Sequence, residues 1–138
     1  MNYQSTRNDA LTATATAAVL KGIAPDGGLY ILKNLKDLPF DWQSVLACDT
    51  QGMASKILGF LLPEYEDMPQ LVQKAYTGKF ETEDLTPVVP VGGDYILELF
   101  RGPTSAFKDV ALSMLPQLIT AARRQEGISD EIVILTAT

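Results

Sequence analysis

Residues 93–138 set two apolar, strand-like runs on either side of one long amphipathic stretch, an order that few folds accept. Residues 95–100 read Tyr-Ile-Leu-Glu-Leu-Phe between Gly92-Gly93 and Gly102-Pro103, which predicts a short strand. Over residues 106–125, Phe107, Val110, Ala111, Met114, Leu115, Leu118, Ile119 and Ala122 recur at spacings of three and four, which predicts a helix. Residues 131–137 contain the unbroken apolar run Ile132-Val133-Ile134-Leu135, as expected of a strand covered on both faces. Strand, helix and strand in that order imply a parallel pair with a right-handed crossover. Ligands bind beyond the carboxyl ends of such strands, where the 101–108 turn and the Thr136-Ala137-Thr138 end both emerge.

Lys108 stands in that turn, near the start of the expected helix. With Thr104 or Ser105 as the capping residue, it falls at the third or fourth helical position. The positive end of a helix dipole disfavours a cation by about 0.3–1 kcal/mol, which favours the neutral amine. A neutral lysine amine is the nucleophile that forms a Schiff base with an aldehyde cofactor. From local pattern alone, a solvated surface lysine beside a first-turn Asp109 is the simpler reading.

Composition removes other chemistries. The 138 residues contain no histidine and one cysteine, Cys48, so a Ser-His-Asp triad, a Cys-His pair, histidine-ligated zinc and an internal disulfide are all excluded. A net charge of −6 argues against nucleic acid or an anionic membrane as partner. With no transmembrane-length run and no signal-peptide pattern, the chain reads as cytoplasmic. The spacing from Gly102 to Lys108 resembles a phosphate-binding P-loop, but Phe107 and Asp109 stand where that motif needs Gly and Ser or Thr.

The earlier part of the chain reads as mainly helical over residues 1–92. An extended stretch over 1–7 precedes a helix over 10–21, capped by Asp9 and ended by Gly22, although the alternating Thr-Ala run over 12–17 also has strand character. A turn at Pro25-Asp26-Gly27-Gly28 leads into a strand over 29–32, then helices near 41–46, 50–61 and 68–77. Residues 88–91, carrying Pro90, predict an edge strand, and Arg123-Arg124 forms the basic last turn of the long helix. The fold class is therefore α/β, one domain over 1–138 with helices around a small, partly parallel sheet.

Four segments carry a resemblance that spans the chain: Tyr3-Gln-Ser-Thr-Arg7, Gly22-Ile-Ala-Pro-Asp-Gly-Gly-Leu-Tyr30, Leu97-Glu-Leu-Phe-Arg-Gly-Pro-Thr-Ser-Ala-Phe-Lys-Asp109 and Ile134-Leu-Thr-Ala-Thr138. In order and spacing they resemble the amino-terminal part of the threonine synthase family, which has the two-domain, fold type II architecture of pyridoxal-phosphate enzymes. The resemblance implies that residues 93–138 begin the cofactor-binding unit and that Lys108 is its Schiff-base lysine. It implies pyridoxal 5'-phosphate as cofactor, and conversion of O-phosphohomoserine and water into L-threonine and phosphate. Phe107 becomes a candidate for packing beside the cofactor ring and Asp109 for orienting the lysine or the cofactor's phenolic oxygen, with core packing and a first-turn charge as their plainer alternatives. Arg7 and Arg101 become candidates for an anionic substrate, a surface ion pair being the alternative for Arg7.

Two departures matter. Arg101 stands where the family commonly has His, and the family's later Ser-Gly-Asp-Thr-Gly and glycine-rich loops are not in this sequence. The resemblance therefore implies an incomplete fold whose partner is the remaining C-terminal part of the enzyme, and a piece inactive alone. Another lyase of the same cofactor fold, and a non-catalytic interaction module retaining the lysine, are the competing readings.

Overall fold

The computed structural model describes residues 2–33 and 35–135. Strand β1 (Tyr3–Ser5) lies in the middle of a three-stranded antiparallel sheet, between β2 (Thr12–Ala13) and β3 (Tyr30–Leu32). Tyr3 pairs with both Ala13 and Leu32, which fixes the register. Helix α1 (Ala15–Lys21) follows β2 directly, with Thr14 as its cap accepting from Ala17 N–H. The expected helix over 10–21 capped by Asp9 is thus corrected: the period-two character of the Thr-Ala run prevails up to residue 13, because β1 offers it a ladder. Gly22 ends α1 at φ 68°, as its sequence position suggests.

Helices α2 (Trp42–Leu46), α3 (Thr50–Leu61) and α4 (Met68–Tyr76) come next. The Asp41 and Asp49 carboxylates cap α2 and α3 through the N–H groups of Ser44 and Gly52. A hairpin of β4 (Val88–Val91) and β5 (Asp94–Leu97) turns through Gly92-Gly93, with Gly92 at φ 63°. The long α5 (Asp109–Gln125) packs on α1 and α4, and α4 packs on α3. The core forms where they meet, with Ala15, Val72, Ala75, Met114, Leu118 and Ala122 buried. No helix among the described residues is long and apolar enough to cross a membrane.

The α/β class stands, but both sheets are antiparallel. The expected strand over 95–100 ends at Leu97 and pairs with Val88, and residues 131–135 form no strand. The parallel pair is therefore absent among the described residues, and Thr136 to Thr138 lie outside them. The cause is visible in the exposure of Val133 and Leu135, 71% and 91%: an apolar run becomes a strand only when a neighbour supplies its hydrogen bonds.

Candidate functional site

The turn between β5 and α5 is built around a carboxylate. Asp109 is buried, and both its oxygens point back along the chain: Oδ2 accepts from Thr104 N–H at 2.8 Å and Oδ1 from Thr104 Oγ1 at 2.5 Å. These bonds, led by the hydroxyl, hold the Asp109 carboxyl below the usual carboxylate range. Helix α5 consequently begins at Asp109, and neither Thr104 nor Ser105 caps it; Lys108 occupies the capping position without a side-chain cap bond. Thr104 is the site residue that sequence reasoning misassigned, since its hydroxyl donates to Asp109 instead of accepting from the helix.

Lys108 is exposed, and among the described residues its amine has no hydrogen-bond or ion-pair partner. It stands at the rim of an apolar hollow of about 480 Å³, whose walls include Leu58, Tyr76, Phe107, Val110 and Met114. Lys108 is the sole charged residue of that lining. Tyr76 Oη donates to the Val110 carbonyl at 3.0 Å, fastening α4 to the first turn of α5 beneath the lysine. Phe107 is 64% exposed, which removes it from the core and leaves its ring beside the hollow. A hollow of similar size, about 490 Å³, is lined by Asp49, Glu81, Glu83 and Asp84 with no cationic residue, the wrong sign for a phosphorylated ligand.

The two arginines lie elsewhere. Arg101 donates from Nε to Glu98 and from Nη1 to Glu81, each at 2.8 Å, and its guanidinium lies 5.1 Å from the Phe100 ring centroid. The Glu81 and Glu98 bonds raise its already high pKa. Arg7 belongs to an amino-terminal lock. Ser5 Oγ donates to both Asp26 oxygens at 2.8 and 2.9 Å, Arg7 Nη1 donates to the Asp26 carbonyl at 3.1 Å, and Thr6 Oγ1 accepts from Leu29 N–H at 3.0 Å. The Gly28 N–H and Ser5 hydroxyl hold the Asp26 carboxyl below its ordinary value. The structure thus brings Phe107, Lys108 and the hollow together, turns Asp109 inward, and places neither Arg7 nor Arg101 in the lining of that hollow. Glu98, three residues before Arg101, was the legible signal for that arginine's pairing.

The family model described as the threonine synthase N terminus matches residues 2–89. The chain belongs to that family. It is 35% identical to the threonine synthase of Corynebacterium glutamicum and 33% identical to that of Saccharomyces cerevisiae, alignments covering 100% and 99% of this chain and 30% of each relative. The crystal structure of PLP-bound threonine synthase from Brucella melitensis superposes with a TM-score of 0.80 at 30% identity, over 92% of this chain and 28% of that one. The threonine synthase of Escherichia coli gives a TM-score of 0.75 at 26% identity, over 88% and 28%. This family member thus spans about 30% of the length of the curated relatives it matches. Lys108 lies beyond the span of the family model but within the whole-chain match to the Corynebacterium enzyme.

Proposed function

We propose that this chain is the lysine-bearing amino-terminal part of a cytoplasmic threonine synthase, a pyridoxal-phosphate-dependent carbon–oxygen lyase that converts O-phosphohomoserine and water into L-threonine and phosphate. The observation that carries the proposal is Lys108, the sole charged group on an apolar hollow at the start of α5, with its amine unpartnered among the described residues. An amine with no competing acceptor at such a rim is free to reach the carbonyl carbon of an aldehyde held in the hollow. Bound there, the cofactor supplies an electron sink for carbanions.

Lys108 Nζ would hold the aldehyde carbon and, once released from it, take and return a proton at the substrate. The Phe107 ring would border the cofactor and exclude water from one side. Asp109 serves from inside the turn, since both its oxygens are committed to Thr104. Arg101 would meet an anionic substrate only by giving up Glu81 or Glu98, and Arg7 only by reaching away from the Asp26 carbonyl. The phosphate-binding elements would come from the remainder of the enzyme.

The test is incubation of the natural full-length protein with pyridoxal phosphate, reduction with borohydride and mass spectrometry. A reduced adduct on Lys108, absent in Lys108→Ala, together with phosphate release from O-phosphohomoserine, is the expected result. An adduct without phosphate release would point to another lyase, and no adduct to a non-catalytic module. The 138-residue chain alone should bind the cofactor weakly and release no phosphate.

A further inference from the structure

The reading of Lys108 as the cofactor lysine leaves open what fixes that lysine in space. The 102–109 turn is closed on itself. Ser105 N–H donates to the Gly102 carbonyl at 3.1 Å, Asp109 N–H to the Ala106 carbonyl at 3.0 Å, and Thr104 gives both its donors to the Asp109 carboxylate. Ser105 takes φ 56°, a conformation a non-glycine residue holds only when its surroundings impose it. Gly102 lies so close to Asp109 that a Cβ on it would stand 2.5 Å from Asp109 Cβ and also meet the carboxylate. An acidic residue that merely offsets the helix dipole stays at the surface and needs no glycine opposite; Asp109 is 5% exposed.

We propose that Asp109 is a positioning residue, whose side chain, seated against Gly102, holds Thr104 through its carboxylate and so fixes the backbone from which Lys108 presents its amine to the hollow. The proposal rests on the function assigned to Lys108 but acts on the turn itself. Geometry, not charge, is what Asp109 supplies. An amide at the same position preserves the clamp, because its oxygen accepts from Thr104 N–H while its NH₂ donates to a rotated Thr104 hydroxyl.

The experiment compares Asp109→Ala, Asp109→Asn and Thr104→Val in the natural full-length protein. Two readouts need no cofactor, namely hydrogen exchange at the Thr104 amide and the pH-dependent acylation rate of the Lys108 amine; a third is borohydride-trapped pyridoxal phosphate on Lys108. Asp109→Ala should speed Thr104 exchange by about tenfold or more, change the Lys108 acylation profile and reduce the trapped adduct. Asp109→Asn should stay within about threefold of wild type in all three. Thr104→Val should lie between them. An asparagine variant as impaired as the alanine one would overturn the proposal, as would an alanine variant with unaltered Lys108 reactivity. If Asp109→Ala does not fold, Thr104→Val decides: faster exchange and altered Lys108 reactivity with intact circular dichroism support the clamp, and wild-type behaviour refutes it. Should wild type trap no pyridoxal phosphate, the assigned function fails while the exchange and acylation measurements still judge the clamp.

Discussion

Gly28 and Gly59 show how differently two glycines constrain one chain. A Cβ on Gly28 would collide with Ser5 Oγ and stand 3.0 Å from Asp26 Oδ1 and 3.1 Å from the Arg7 nitrogen, inside the amino-terminal lock. A Cβ on Gly59, within α3, would meet nothing within 4 Å. Gly28→Ala should therefore destabilise by about 1–3 kcal/mol, whereas Gly59→Ala should stabilise by about 0.5–1 kcal/mol, both measurable by urea unfolding. The pH response also belongs to this scale. Asp26 and Asp109 both have folded pKa values below the ordinary carboxylate value, so the stability they give is complete above it and is lost as pH falls through the lower folded values. The melting temperature should drop as pH is lowered below about 4, less steeply in an Asp26→Asn, Asp109→Asn double variant. Lys108 stood out in the sequence through the resemblance carried by residues 97–109, since the local pattern alone favours a solvated lysine beside Asp109. The Asp109 clamp did not, because an acid in a first helical turn already has a sufficient local explanation, and only the folded turn shows its oxygens reaching back to Thr104.

Among the elements, α5 carries the most structure, since α1 and α4 both pack on it and Met114, Leu118 and Ala122 form its buried stripe. Met114→Ala should cost about 2–5 kcal/mol, seen as a lower urea midpoint with little change in slope. Elements whose ends carry local signals were readable, as with the helices near 41–46 and 50–61 and the stop of α1 at Gly22, whereas the Asp41 and Asp49 caps and the hairpin through Gly92-Gly93 emerge only in the fold. Elements that depend on a distant partner were not readable. The start of α1 yields to the pairing of Tyr3 with Ala13, and the apolar run over 132–135 has no ladder to join among the described residues.

Across the whole molecule, apolar exposure is concentrated late in the chain. Tyr95, Phe107, Val133 and Leu135 are each more than 60% exposed, and Ile96, Leu97, Phe100 and Ile134 about half exposed. Surface of this kind marks a contact face. The isolated 138-residue chain should bind a hydrophobic dye and self-associate in sedimentation velocity, and the natural full-length protein should do so far less. At the other end, β1 is flanked by β2 and β3, which pair with it and not with each other, while Tyr3 Oη donates to the Leu61 carbonyl and Ser5 holds Asp26. The beginning of the chain is thus a keystone. Removing residues 3–5 would take away the one strand that joins β2 to β3 and would leave the Asp26 carboxylate without the Ser5 hydroxyl, so loss of this short segment should dismantle the sheet rather than trim it.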